Sequence, residues 1–214
     1  MSYRLRISEI FYSLQGESSL VGWPTVFVRL TGCPLRCGYC DTTYAFKGGE
    51  WLERDAILQQ VGQYQAQYVC VTGGEPLAQK DCLALLADLC DAGYRVSLET
   101  SGALPIDAVD QRVMRVMDLK TPASGEQDKN LYSNLELLTA DDELKFVLCD
   151  RNDYEWAREL VQQHDMTKRC TVLFSPSQQQ LPARQLAEWI LEDRLPVRFQ
   201  LQLHKILWGD VAGH

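Results

Sequence analysis

No stretch of this sequence stays apolar for anything near the roughly 20 residues that cross a bilayer. The opening Met1-Ser2-Tyr3-Arg4-Leu5-Arg6 leads into a short amphipathic stretch and lacks the long apolar core of a secretory signal. No membrane partner is expected, and the expected location is the cytoplasm. Excess positive charge is missing as well. With 21 Lys and Arg against 29 Asp and Glu, the formal net charge is −8. Such a chain is a poor electrostatic match for a phosphate backbone, so nucleic-acid binding, including direct action on tRNA, is not expected. One local basic pocket for a small anion stays compatible with that balance. Low-complexity segments and internal repeats are also absent. Pro122–Asn134 reads as a loop and the glutamine-rich Ser177–Gln180 as a short exposed connection, neither as a domain linker.

What is present is an alternation. Hydrophobic residues make up 46% of 214 positions, enough for a sizeable core in one domain. Apolar, β-branched runs near Thr25–Leu30, Tyr68–Val71, Arg95–Leu98, Arg115–Asp118, Leu144–Leu148, Thr171–Phe174 and Arg198–Leu203 read as strands. Helix-period stretches near Arg54–Tyr64, Lys80–Ala92, Asp153–His164 and Ala183–Glu192 read as helices. Each such helix suits a crossover back to a parallel neighbour. The fold class is therefore α/β: a partial, open (β/α) barrel of about six parallel strands, with an open doubly wound sheet as the alternative. Either form puts ligands at the carboxyl ends of the strands.

The chemistry is concentrated in the cysteines. In the cytoplasm eight cysteines point to ligands or core residues rather than disulfides. Cys33, Cys37 and Cys40 have the spacing C-x3-C-x2-C, directly after a predicted strand. Three thiolates on a short loop can hold three corners of a [4Fe–4S] cluster and leave the fourth iron open. Structural zinc sites close with four ligands, often as two pairs, and no second Cys-x2-Cys pair exists here. Cys70, Cys82, Cys90, Cys149 and Cys170 lie singly within predicted elements or at their ends, where free cysteine behaves as a small hydrophobe.

The segment Cys33-Pro34-Leu35-Arg36-Cys37-Gly38-Tyr39-Cys40 resembles the motif of the radical S-adenosylmethionine (SAM) enzymes, with Tyr39 as its aromatic position. Thr72-Gly73-Gly74-Glu75-Pro76 is similar to the glycine-rich motif of the same superfamily, where strand-end carbonyls and Glu75 can accept from an ammonium group. Phe11–Glu17, Trp23–Cys33, Tyr39–Thr42, Glu99–Gly102, Asp118–Lys120 and Lys145–Val147 together resemble the 7-carboxy-7-deazaguanine synthase family over nearly the whole chain. The resemblance implies a single radical-SAM domain over residues 1–214. It also implies a lyase that contracts 6-carboxy-5,6,7,8-tetrahydropterin to 7-carboxy-7-deazaguanine with loss of ammonia, in queuosine and related deazapurine biosynthesis. The implied cofactors are a [4Fe–4S] cluster, SAM and Mg2+. The implied partners are the pterin, an electron donor such as flavodoxin or ferredoxin, and a second copy in a homodimer.

Site residues follow from the same resemblance. Cys33, Cys37 and Cys40 would hold the cluster and Thr42 the Mg2+. Tyr39, Cys40, Asp41, Gly74, Ser101, Asp118, Leu119 and Lys120 would bind SAM, with Ser175–Ser177 in reach and Glu99 either on the ribose or in a buried structural hydrogen bond. Leu14, Gln15, Gly16, Arg29 and Thr72 would bind the substrate, with Arg29 suited to a bidentate pair with its carboxylate. No general acid or base is assigned, and His204 and Lys205 carry no role. The terminal His214 is expected to be mobile. One departure stands out: Ser18 follows Gln15-Gly16-Glu17 where many relatives carry glycine. Two other readings remain: a small activase installing a glycyl radical on a protein, and a metal-stabilised binding protein without turnover.

Overall fold

In the computed structural model, which describes residues 2–178, 180–209, 211 and 213, nine strands form one open sheet. Gln179, in the predicted 177–180 loop, and His214 lie outside the described residues. In chain order the elements are β1 (Arg4–Leu14), β2 (Pro24–Leu30), β3 (Glu50–Glu53), α1 (Arg54–Gly62), β4 (Tyr68–Gly73), α2 (Cys82–Asp91), β5 (Arg95–Thr100), β6 (Met114–Asp118), β7 (Glu143–Leu148), α3 (Arg151–Gln163), α4 (Met166–Arg169), β8 (Thr171–Pro176), α5 (Ala183–Glu192), β9 (Arg198–Phe199) and α6 (Leu203–Trp208).

The strands lie in the order β3-β1-β2-β4-β5-β6-β7-β8-β9. From β2 to β9 every neighbour is parallel, while β1 pairs antiparallel with β2 and β3. A doubly wound sheet reverses its strand order at a switch point. Here the parallel strands follow one another without reversal, so the sheet is singly wound, as an open partial barrel is. The six parallel strands expected from β2 to β8 are present, and β9 adds two residues.

The strands sort their side chains by parity. Val69 and Val71, Val96 and Leu98, Leu144, Phe146 and Leu148, Val172 and Phe174 join one core cluster with the helices. Their alternate neighbours Thr72, Glu99, Asp118, Lys145 and Val147 line a cavity instead. Side chains alternate across a strand, so each strand carries an apolar outer row and a chemical inner row. The helices complete the core at helical spacing: Ile57 and Val61 on α1, Cys82, Leu85, Leu86 and Leu89 on α2, Leu186 and Ile190 on α5. At about 25 cal/mol per Å2 of apolar surface removed from water, each fully buried Leu or Ile contributes on the order of 2 kcal/mol.

Two expectations need correction. The first strand is β1, not β2, so the amphipathic N-terminal stretch is the longest strand of the sheet. The strand expected over Arg198–Leu203 stops after Phe199, and Leu203 begins α6. Gln200 is buried, and its amide exchanges two hydrogen bonds with the backbone of Ser18, at 2.7 Å each. That pairing pulls the chain off the sheet edge and onto the loop between β1 and β2.

Candidate active site

The inner rows of the strands open into a cavity of about 260 Å3. Its walls are the carboxyl ends of β2, β4, β5, β6 and β7, the cysteine loop, the β1–β2 loop and the C-terminal segment. Cys33, Cys37, Tyr39, Cys40, Asp41, Thr42, Gly74, Ser101, Asp118 and Lys120 line it, as do Leu14, Gln15, Gly16, Arg29 and Thr72. Ser177 also lines it and is buried, so the 177–180 connection is not exposed throughout. Of the expected site residues Leu119, Ser175 and Pro176 do not line the cavity: Leu119 is fully buried in the core and its backbone N–H donates to Lys145 O of β7 at 2.9 Å, while Ser175 and Pro176 are buried at the end of β8.

The cysteine loop is held by backbone groups. Gly32, with φ 103°, turns the chain out of β2 and donates to Ala45 O at 2.8 Å. Gly38 N donates to Ser124 O at 3.0 Å and Arg36 N donates to Glu126 at 2.6 Å, so the loop rests on the β6–β7 connection. All three thiols are partly exposed and unpaired. Burial raises their pKa values, that of Cys37 to about 11, against the pull of Lys120. A metal centre bound here must therefore displace protons. Among the described residues no group of three His, Cys, Asp or Glu side chains is placed to hold one metal ion. A cubane asks for something else: one thiolate per iron, with the sulfurs further apart than ligands sharing an ion.

The glycine-rich turn meets this loop closely. A Cβ on Gly74 would lie 2.3 Å from Gly32 O and 2.7 Å from Cys33 Cβ. Glu75 is placed differently from the expectation. It is fully buried, and its carboxylate accepts from Leu77 N at 3.0 Å, from the Thr100 hydroxyl at 3.0 Å, and from the N–H and hydroxyl of Ser101. Saturated in this way, Glu75 pins the turn to the end of β5 and orients Ser101, leaving little capacity for an ammonium group.

On the opposite wall, Gln15 Nε2 donates to Glu99 at 3.3 Å, and the Thr72 hydroxyl donates to the other oxygen of Glu99 at 2.9 Å. Arg29 Nε donates to Glu9 at 2.7 Å, while the guanidinium lies 5.7 Å from the centroid of Phe11 and 5.9 Å from that of Tyr44. Burial works against its charge, but Tyr44 and Glu9 outweigh that and raise its pKa. Asp41 accepts from the Thr42 hydroxyl at 2.8 Å and pairs with Lys205 at 2.7 Å. Burial pushes Asp41 up, yet Lys205 and Thr42 hold it at about 2.

Several groups escaped the sequence reading. Lys145 bridges Glu17 and Asp118, and Lys120 lies 3.1 Å from Asp118. Burial disfavours all four charges, but their contacts prevail: both carboxyls titrate below, and both lysines above, their ordinary values. A signal existed, since a lysine inside an apolar strand is costly unless paired. Lys205 and His204 gave none, because only the turn at Gln200 carries α6 over the cavity. There Leu203 N donates to Gly16 O at 2.9 Å, and a Cβ on Gly16 would stand 2.1 Å from His204 Nδ1.

Residues 27–163 match the model of the radical SAM superfamily. A relative named 7-carboxy-7-deazaguanine synthase, from Chlorobaculum tepidum, is 49% identical over 97% of this chain and 96% of its own. One of the same name from Koribacter versatilis is 44% identical over 95% and 97%. This chain belongs to the 7-carboxy-7-deazaguanine synthase family of radical SAM enzymes. Its fold agrees: the crystal structure of QueE from Escherichia coli superposes with a TM-score of 0.77 at 25% identity, covering 94% of this chain and 95% of that one.

Membership of the superfamily implies a [4Fe–4S] cluster and SAM, and the residues present fit both. Three unpaired thiols supply the cluster's donor set. Gly74 packs directly against the cysteine loop and lines the cavity, and the buried Tyr39 hydroxyl has no hydrogen-bond partner among the described residues. The cavity of this chain thus has the three thiols on the cysteine loop and, among its other lining residues, an arginine with polar amide and hydroxyl groups.

Proposed function

We propose that the chain converts 6-carboxy-5,6,7,8-tetrahydropterin to 7-carboxy-7-deazaguanine by ring contraction with loss of ammonia, as a Mg2+-dependent lyase of queuosine and related deazapurine biosynthesis. The observation that carries this reading is the free edge of Arg29. With Nε engaged by Glu9, neither terminal nitrogen of the guanidinium has a hydrogen bond to a described residue, and the residue lines the cavity. A planar pair of N–H donors facing a cavity suits a carboxylate.

Arg29 takes the carboxylate, while Leu14, Gln15, Gly16 and Thr72 receive the bicyclic ring. Glu99, already accepting from Gln15 and Thr72, fixes the direction of both donors. Thr42 supplies one hard oxygen to Mg2+, and substrate and water complete the shell, as this ion commonly allows. Cys33, Cys37 and Cys40 hold the cluster. Tyr39, Cys40, Asp41, Gly74 and Ser101, with Asp118 and Lys120, hold SAM, and Leu119 contributes through its backbone. When bound, the cluster and SAM supply a 5′-deoxyadenosyl radical after one-electron reduction. The chain orients the reacting carbon toward it and excludes water, with α6 closing the mouth. An electron donor such as flavodoxin or ferredoxin, a homodimer and a cytoplasmic location belong to the same proposal.

The test is a product assay. The anaerobically reconstituted enzyme, incubated with the carboxytetrahydropterin, SAM, Mg2+ and a reductant, should yield 7-carboxy-7-deazaguanine and ammonia in equal amounts. Cleavage of SAM without that product would overturn the assignment and favour a different radical substrate.

A further inference from the structure

Arg29 does not reach the cavity unaided. β1 pairs with β2 through Ile7 opposite Leu30 and then Glu9 opposite Arg29, with a register shift between them. Ser8 is the extra residue, and its hydroxyl is engaged with that of Thr31 at 2.7 Å. Without the shift, Ser8 would oppose Arg29 and Glu9 would oppose Val28, where the outer, apolar row lies. A bulge of one residue reverses the parity of everything after it. Here it brings Glu9 onto the cavity side, directly across from Arg29.

Glu9 then does two things with one oxygen. Its Oε1 accepts from Arg29 Nε at 2.7 Å and from the Tyr44 hydroxyl at 2.7 Å. The first bond turns the guanidinium so that its terminal nitrogens are free. The second holds Tyr44, which sits in the short 3-10 turn Thr43–Phe46 immediately after Thr42. Phe11, stacked on Phe27 at 4.9 Å, and Tyr44 both lie against the guanidinium. The pair is mostly covered, with side-chain exposures of 15% for Arg29 and 21% for Glu9.

We propose that Glu9 is a positioning residue for recognition of the substrate carboxylate: it orients Arg29 and, through Tyr44, anchors the segment carrying Thr42, so that the guanidinium and the metal-binding hydroxyl address one carboxylate together. This rests on the pterin reading above. The role is geometric rather than one of charge attraction, since the negative charge of Glu9 itself repels a carboxylate. What Glu9 supplies is preorganisation, which removes an ordering cost from binding.

The geometric role separates two substitutions. Glu9→Gln keeps an oxygen able to accept both bonds, so it should bind 6-carboxypterin within about threefold of wild type. Glu9→Ala removes both bonds and should weaken that binding by about tenfold or more, the usual effect of losing a hydrogen bond to a charged group. Unsubstituted pterin, which has no carboxylate, should bind wild type and Glu9→Ala alike. In turnover, Glu9→Ala should raise KM and the Mg2+ concentration for half-maximal activity, with iron content and substrate-free SAM cleavage unchanged. If Glu9→Ala fails to fold, Tyr44→Phe decides in its place: it should raise the Mg2+ requirement alone. The proposal is overturned if Glu9→Ala keeps the wild-type preference for the carboxylated pterin, if it loses both pterins equally, if Glu9→Gln is as impaired as Glu9→Ala, or if Tyr44→Phe leaves the Mg2+ requirement unmoved. A wild-type enzyme indifferent to the carboxylate would instead overturn the pterin reading on which this one stands.

Discussion

Lys205 Nζ lies 2.7 Å from Asp41 Oδ2, so the last helix of the chain is tied to the loop that carries the three cysteines. Lys205 is nearly covered and Asp41 is 40% exposed, so the pair is worth about 1 kcal/mol at most. Its value lies in placement. Gln202 also donates to Glu17, and Leu203 N donates to Gly16 O, which together seat α6 over the cavity mouth. Lys205→Met keeps the aliphatic stem and removes one tie. Amide hydrogen exchange in residues 203–208 should quicken severalfold, while the melting temperature stays nearly constant. Unchanged exchange in α6 would show that the other contacts suffice without the ion pair.

The close approach of Gly74 to the cysteine loop makes a second prediction. A Cβ there would meet Gly32 O at 2.3 Å, a backbone atom that no side-chain rotation can move aside. Gly74→Ala must displace either the turn or the loop, at a cost of about 2 kcal/mol or more, as for other overpacked sites. Iron per chain after anaerobic reconstitution should fall, since Cys33 sits on the displaced segment. Gly22→Ala is the control: unlike Gly74 it has positive φ, so alanine strains the backbone there, but nothing lies within 4 Å of its added Cβ. Equal iron retention in both variants would remove the steric link between the turn and the cluster loop.

Acid sensitivity should come in part from Asp142. Burial raises its pKa, but bonds from the backbone N–H and guanidinium of Arg115 and from Thr139 outweigh it and hold the carboxyl below its ordinary value. A depressed folded-state pKa stabilises the fold above the unfolded value of about 3.9, and that contribution is lost as pH falls through the folded value. Asp142→Asn should cost about 3 kcal/mol near neutral pH, as breaking a buried pair does. The difference in melting temperature between wild type and variant should narrow below about pH 4. A gap constant from neutral to acid pH would assign the loss to packing rather than to charge.

Much of this architecture was legible in the sequence because the parallel strands repeat one pattern. Val69 and Val71 join the core while Thr72 lines the cavity, and apolar residues at every second position in β5 to β8 made each strand visible. β1 was not visible for the reason that makes it functional. Leu5 and Ile7 keep strand parity, then the bulge at Ser8 breaks it, so Ile10 and Phe11 fall out of step and no single period fits. The cysteine triplet and the glycine-rich turn could be read because each is local. Glu9, Glu17 and Lys205 could not, because each acquires its partner through register or through a turn at a buried glutamine far along the chain.

Ser18 provides the last prediction, since the sequence resemblance leads one to expect glycine there. Its φ is 64°, the left-handed region that glycine enters freely and other residues enter at about 1–2 kcal/mol. The two bonds to Gln200 use only the Ser18 backbone, so glycine would keep them. What glycine would lose is the bond from Leu20 N to the Ser18 hydroxyl, 3.1 Å long and worth about 0.5–1.5 kcal/mol. Strain relief and bond loss nearly cancel, so Ser18→Gly should change stability by less than about 1 kcal/mol. Ser18→Val loses the same bond and adds a β-branched side chain at positive φ in a fully buried position. It should destabilise by about 2 kcal/mol or more. Because Ser18 does not line the cavity, the glycine variant should also turn over at the wild-type rate. A tenfold fall in kcat with an unchanged melting temperature would show instead that the serine hydroxyl acts on the substrate loop, and that this departure alters the chemistry.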